Sequence, residues 1–246
     1  MKLLIKRIIV FLVFILIIIL GYFIFTAKMY YLLFILGALL LCFPFLYRFE
    51  NKERSVEEIV LISVITALAV VGRIIFAALP GTPVTVILIL SGCFLGKEAG
   101  FIIGVLTTLL SNMFLGHGPW TAFQMATWGV IGFLSGYFRS FLVLQVERTN
   151  LIGINPKQNR KKSYYIIILY IWAGLTGVLF SLLMDVHSVF FVYKTFKWGY
   201  YLSMITFALP ITVEYVITNI IFMFLLYSPF YYIFDRLKEK YGIGIK

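Results

Sequence analysis

The chain has 246 residues, of which 62% are hydrophobic, 18% aromatic and only 13% charged, and its mean hydropathy is +1.02. These values exclude a water-soluble globular domain of this size. The formal net charge of +11 would suit a nucleic-acid-binding protein, but the basic residues lie in short segments between apolar runs, as they do at membrane boundaries. Nucleic acid is therefore not an expected partner, and the lipid bilayer is.

Seven apolar runs approach or exceed the roughly 20 residues that a helix needs to cross a bilayer. In chain order they are residues 8–26, 29–47, 57–79, 98–115, 120–141, 164–187 and 201–231. An eighth, shorter run at 83–96 follows two prolines and is barely long enough to cross, so we expect it to be short, tilted or partly extended. The pattern predicts an all-α polytopic membrane protein with about eight spans.

The first apolar run follows three basic residues and resembles a secretory signal peptide in this respect. It is long and rich in β-branched residues, and no clear small-x-small cleavage site precedes Lys28, so we expect it to be retained. The first two runs would then form an N-terminal transmembrane hairpin, residues 1–47. The remaining chain, residues 48–246, would form a six-span core.

The distribution of Lys and Arg supports this arrangement, because cytoplasmic segments carry the excess of positive charge. With the N-terminus inside, 17 of these residues lie in inner segments: Lys2, Lys6, Arg7, Arg48, Lys52, Arg54, Lys97, Arg139, Arg148, Lys157, Arg160, Lys161, Lys162, Arg236, Lys238, Lys240 and Lys246. Only Lys28, Lys194 and Lys197 lie outside, and Arg73 lies within a span. We therefore expect a multi-pass cell-membrane protein with both termini cytoplasmic.

A short polar and aromatic loop separates two apolar runs between Ser111 and Met125, on the predicted outer face. Gly116, Gly118 and Pro119 predict a tight turn within it. Such a turn can present the polar and aromatic side chains around it to a small molecule. These side chains are Asn112, His117, Trp120 and Gln124.

A helix that begins just after Pro119 would place Trp120, Phe123, Gln124 and Trp128 close to one face. An aromatic belt at the membrane interface explains the rings alone. The amide on the same stripe favours a surface that faces a ligand, since small-molecule sites combine aromatic walls with a few fixed polar groups.

Arg73 lies in the outer part of its span, where an unpaired charge is costly. It should extend toward the interface, pair with Glu214 or Asp185, or contact a ligand in a wet cavity. Glu214 follows Pro210 by one helical turn, and Asn219 lies further along the same run. Because proline bends a helix, this part of the last span can flank a cavity.

Asp185 and His187 are residue types that bind metal ions. The chain has only two histidines, and its two cysteines lie inside apolar runs, so no metal signature or structural disulfide is formed. We expect these residues to line the outer mouth of the protein together with Tyr193, and we expect no metal and no cofactor.

Catalysis is not expected from the motifs of this chain. The segment Gly92 to Glu98 resembles a phosphate-binding loop, but its spacing is one residue short and no Ser or Thr follows the lysine. Glu57-Glu58 resembles the paired glutamates of intramembrane prenyl-protein proteases, but Ile62 stands where an arginine is required. Both histidines lack a matching nucleophile motif.

Ser63 and Ala67 lie four residues apart on the first core span, where small side chains permit close helix approach. Packing among the helices of this chain is one interpretation. A contact surface for another membrane subunit is the other.

The core, roughly residues 55–235, resembles the substrate-binding S component of energy-coupling factor (ECF) vitamin transporters. The resemblance lies in six apolar spans and in short motifs: Gly72-Arg73, Phe94-Leu-Gly96, Glu98-Ala99-Gly100, Ser111-Asn112, Phe114 to Thr121, and Gln124-Met125. The stretch after Ser111 looks like the subgroup associated with cobalamin and related corrinoids, in which Gln commonly stands at the position of His117 and Pro-Trp at that of Ala122-Phe123.

The resemblance implies a non-catalytic subunit that captures a vitamin, most simply a corrinoid, at the extracellular face. It implies as partners a transmembrane coupling subunit, which Ser63 and Ala67 would contact, and two ATPase subunits. The implied substrate site comprises Arg73, Asn112, His117, Gly118, Pro119, Trp120, Gln124, Trp128, Asp185 and Tyr193. The alternatives are another vitamin, such as riboflavin, folate or a thiamine precursor, and a membrane scaffold that binds a protein or lipid.

Overall fold

The computed structural model describes residues 30–51, 54–79, 81–139 and 156–241, and helices occupy nearly all of them. The helices are α1 (Tyr30–Glu50), α2 (Val56–Ile75), α3 (Val84–Leu95), α4 (Lys97–Leu115), α5 (Trp120–Ser135), a 3-10 turn (Gly136–Phe138), α6 (Pro156–Tyr193) and α7 (Trp198–Tyr241). These residues contain no β-strand. The prediction of an all-α protein is therefore confirmed.

Four helices of the described chain are long and apolar enough to cross a membrane: α2, α4, residues Ile166–Tyr193 of α6 and residues Trp198–Leu237 of α7. The predicted short run at 83–96 corresponds to α3, which has 12 residues. At about 1.5 Å per residue it is about 18 Å long, well short of a hydrocarbon layer of about 30 Å. The first predicted span, residues 8–26, lies outside the described residues, so eight spans and cytoplasmic termini remain predictions.

The helices begin and end at residues with clear local reasons. Ser55 caps α2, and its side chain accepts a hydrogen bond from the backbone amide of Glu58. Gly96 (φ 97°) separates α3 from α4, and Gly116 (φ 98°) ends α4, both in a backbone region that favours glycine. Pro119 stands immediately before α5, where its missing N–H removes no helical hydrogen bond.

Glycines hold α3, α4 and α5 at backbone contact. A Cβ placed on Gly132 of α5 would lie 2.2 Å from the carbonyl oxygen of Gly100 on α4, and one placed on Gly92 of α3 would lie 2.2 Å from the carbonyl oxygen of Gly132. Small residues are how membrane helices approach this closely. We call Gly92, Gly100 and Gly132 the glycine seam.

The short helix α3 lies at the centre of the bundle. All 12 of its residues are buried, and it contacts α2, α4, α5, α6 and α7. The first described helix, α1, packs onto the outside of α4 and α5, where Phe45 stacks on Phe101 with ring centroids 4.2 Å apart. The helix predicted to complete the N-terminal hairpin is thus in contact with the core.

The two longest helices, α6 and α7, form an antiparallel pair of 38 and 44 residues. Their contacts run from Tyr193 and Tyr200, whose rings stack with centroids 4.0 Å apart, to Asn219, whose side-chain amide donates to the carbonyl of Ala173 at 3.1 Å. At 1.5 Å per residue each exceeds the hydrocarbon thickness, so each must tilt or extend beyond it.

Candidate functional site

Arg73, in the last turn of α2, is the centre of a polar network between helices. Its guanidinium donates hydrogen bonds to Ser111 Oγ, to Asn112 Oδ1 at 2.6 Å and to Gln124 Oε1 at 3.1 Å. Ser111 and Asn112 are almost fully buried in the last turns of α4, and Gln124 lies one turn into α5. Three helices are therefore tied together through one positive charge.

A second layer of hydrogen bonds links this network to the α4–α5 loop. The side-chain amide of Asn112 donates to Thr121 Oγ1 at 3.1 Å and to Gln124 Oε1 at 3.2 Å. Thr121 Oγ1 also accepts from the backbone amide of Gly118 at 3.1 Å. Because the loop between α4 and α5 is only four residues long, the end of one helix faces the start of the next, and these side chains are brought into contact.

All three acceptors of Arg73 are neutral. The sequence analysis allowed an ion pair with Glu214 or Asp185, but within the described residues the only ion pair joins Arg54 and Glu58. The guanidinium is instead held by a hydroxyl and two amides. Arginine has five N–H donors, and these three hydrogen bonds leave donor capacity unused.

A cavity of about 340 Å³ adjoins this network. Arg73 and Gln124 line one side of it, and an aromatic wall lines another. In this wall Trp128 stacks on Phe180 with ring centroids 5.4 Å apart, and Phe180 meets Tyr215 edge to face at 5.2 Å. The Arg73 guanidinium carbon lies 4.8 Å from the centre of the Trp128 ring, so the cation also faces the wall.

Polar groups from other helices complete the lining. They are the hydroxyl residues Thr82, Thr85 and Thr218 and the amide of Asn219. The Thr218 hydroxyl donates to the backbone carbonyl of Glu214 at 2.6 Å, but Glu214 itself does not line the cavity. The cavity thus combines aromatic surface with fixed polar groups, as small-molecule sites do.

Only some of the residues predicted for the site lie together. Arg73, Gln124 and Trp128 line the cavity, and Asn112 supports them from behind. His117 is exposed on the α4–α5 loop, and Trp120 is exposed at the first residue of α5. The Trp120 ring lies over Gly118, in the space that a Cβ there would take. Pro119 starts α5 and does not line the cavity.

Asp185 and Tyr193 lie on α6 outside the cavity lining. Asp185 is buried, and its Oδ2 atom has no hydrogen-bond partner among the described residues. His187 packs edge to face against Phe123, with ring centroids 5.1 Å apart, while Tyr193 stacks on Tyr200. The described part of the chain contains no group of three or more His, Cys, Asp or Glu side chains that could hold a metal ion.

The sequence analysis expected Asp185 and Tyr193 of α6 in the site, but it missed the α6 residues that line the cavity and the contribution of the α2–α3 connection. Phe180 and Gly177 come from the middle of a long apolar run, and nothing in their local sequence distinguishes them from lipid-facing residues. For α7 a signal was present, because the run after Pro210 was expected to flank a cavity. Asn219 and Tyr215 of that run do line it.

Ser63 and Ala67 lie on the exposed face of α2, among the large exposed side chains of Val60, Val64 and Leu68. They lie beside the buried stripe of the same helix, which includes Ile62, Thr66 and Ala69.

Comparison of the chain with protein-family models, with curated proteins and with solved structures gives no match. The functional argument consequently rests on the site itself.

Proposed function

We propose that this chain is the substrate-capture subunit of an ECF-type importer, with ATP hydrolysed on separate subunits. The observation that carries the proposal is the cavity among apolar helices, in which a guanidinium held by three side chains faces an aromatic wall. A fixed polar group beside apolar surface gives a small organic molecule both orientation and affinity. Four helices of the described chain are long and apolar enough to cross a membrane, which is the setting that an importer needs.

The hydrogen bonds suggest how capture is relayed to the protein surface. A ligand atom that binds Arg73 contacts the same guanidinium that donates a hydrogen bond to Asn112. The side-chain amide of Asn112 in turn donates a hydrogen bond to Thr121 Oγ1. Thr121 in turn holds the backbone of Gly118 in the α4–α5 loop. Occupation of the cavity would therefore order this loop, with its exposed Trp120, next to the site.

Two observations bear on the class of ligand, and they favour ligands of different size. The loop sequence resembles the corrinoid subgroup, whereas the cavity of about 340 Å³ favours a smaller vitamin, since it is near the lower end of the roughly 300–1,000 Å³ usual for small-molecule sites. A corrinoid would extend beyond the cavity toward His117 and Trp120, which are exposed. A smaller vitamin would be enclosed by Gln124, Trp128 and Phe180.

The partners proposed are a transmembrane coupling subunit and two ATPase subunits. The exposed face of α2 supports a contact with the coupling subunit, because the small side chains of Ser63 and Ala67 on this face permit close helix approach. The segment that resembles a phosphate-binding loop lies at the α3–α4 junction, where its residues are mostly buried, which supports a packing role for it.

Equilibrium binding to the purified, detergent-solubilised chain tests the proposal, with cobalamin, riboflavin, folate and thiamine as parallel ligands. Saturable binding of one ligand that is weakened by Gln124→Ala, but not by the matched control Phe207→Ala on the exposed face of α7, supports capture at this cavity. Binding of cobalamin alone would select the corrinoid. No saturable binding to folded protein, together with tight retention of a protein or lipid partner, would favour the membrane scaffold instead.

A further inference from the structure

Among the described residues, the lining of the cavity carries a positive charge and no negative one. Arg73 is the only charged residue of this described lining, and no described Asp or Glu contributes to it. Its acceptors Ser111, Asn112 and Gln124 are all neutral. A charge left without a counter-ion among apolar helices is costly, and such residues within membrane segments commonly serve a ligand.

The rest of the lining suits an apolar body. Phe180 and Tyr215 continue the aromatic wall from Trp128, and Ala77 and Leu115 add aliphatic surface. A ligand with an anionic group at one end and a compact ring or short chain at the other would meet complementary surface along its whole length.

We propose that the cavity takes a small organic carboxylate, with its carboxylate oxygens held by the Arg73 guanidinium. This inference rests on the proposed capture function and narrows its ligand class. Carboxylate oxygens accept from guanidinium in charge-assisted hydrogen bonds, which are stronger than neutral ones. The same charge repels cationic ligands such as thiamine.

Pairs of acids and their amides test the charge directly, because each pair has nearly the same size and shape. The probes are nicotinate with nicotinamide, biotin with biotinamide, and lipoate with lipoamide, measured by equilibrium binding to the full-length chain in detergent. At least one acid is expected to bind about tenfold or more tighter than its amide, the scale of a charge-assisted hydrogen bond. Equal affinity within every pair that binds would overturn the proposal.

One variant and its control assign the discrimination to Arg73. Arg73→Gln should remove the preference for the acid over its amide. Phe207→Ala, on the exposed face of α7, should change neither affinity. An unchanged acid preference in folded Arg73→Gln protein would place the carboxylate elsewhere and overturn the proposal.

The outcomes separate this inference from the capture function. Saturable riboflavin or cobalamin binding at this cavity, with no acid bound, would refute the carboxylate and retain capture. No binding by any probe, including the neutral vitamins, would overturn both proposals.

Discussion

Substitution of Gly132 by alanine tests the close packing that positions the site. The new Cβ would lie 2.2 Å from the carbonyl oxygen and 2.5 Å from the carbonyl carbon of Gly100. Both atoms belong to the backbone of α4, so no side-chain rotation can relieve the contact. Forcing extra volume into a packed interior costs about 1–3 kcal/mol, and for a chain of this size about 1 kcal/mol corresponds to a change of about 2–4 °C in Tm. We expect Gly132→Ala to lower Tm by about 2–12 °C.

Gly174→Ala in α6 is the matched control. Its Cβ would meet only the side-chain ends of Val216 and Ile220, at 3.7 and 3.9 Å, which is ordinary contact. Since alanine is favoured over glycine within a helix by about 0.5–1 kcal/mol, this variant should be as stable as the parent or slightly more so.

A thiol-reactive fluorophore provides the assay, because the only two cysteines, Cys42 and Cys93, are buried and become reactive on unfolding. Thermal unfolding of the purified protein in detergent is followed by the fluorescence increase. A Tm for Gly132→Ala at or above that of Gly174→Ala would show that α4 and α5 are not in backbone contact at the glycine seam.

Three further predictions concern the polar network and the proposed partner. Asn112→Ala removes an acceptor from the charged Arg73 donor, so it should lower the free energy of unfolding by about 1.5–3 kcal/mol, measured by thermal unfolding. The exposed control Ser63→Ala should lower it by less than about 0.5 kcal/mol. Equal effects of the two substitutions would contradict the network. Trp120→Ala should weaken a corrinoid but spare a ligand enclosed by the cavity, which binding titrations of the two classes distinguish. Ser63→Leu with Ala67→Leu should leave ligand binding unchanged and abolish co-purification with a coupling module; retained co-purification would place that contact elsewhere.

Sequence reasoning located the helices well because their signal is local. The apolar run at 98–115 matches α4 (Lys97–Leu115), and the short run after Pro83 matches α3. Both follow from uninterrupted hydrophobicity and from glycine or proline at the ends, which act on the residues beside them. The same reasoning identified Arg73 as the unusual charge, because a basic residue within an apolar run is conspicuous without any knowledge of its neighbours.

Local sequence signals did not predict the hydrogen-bond partners of Arg73. Charge alone pointed to Glu214 or Asp185, whereas the guanidinium bonds to Ser111, Asn112 and Gln124. Which acceptor a cation meets depends on how helices far apart in sequence are set against one another. For α4 and α5 that arrangement comes from the glycine seam, where backbone contact fixes the position of one helix along the axis of the other.

The sequence by itself determined that the chain is apolar and helical, where α3 and α4 lie, and that polar chemistry gathers at the ends of α2, α4 and α5; the predicted bounds of α5, α6 and α7 differ from the observed ones by up to ten residues. Only the tertiary structure decided that these ends enclose a cavity with Phe180 and Tyr215 from α6 and α7. The physical reason is that the sequence does not distinguish an apolar side chain that faces lipid from one that lines a cavity. Its role is decided by the packing of helices that lie 50 to 140 residues apart in the chain.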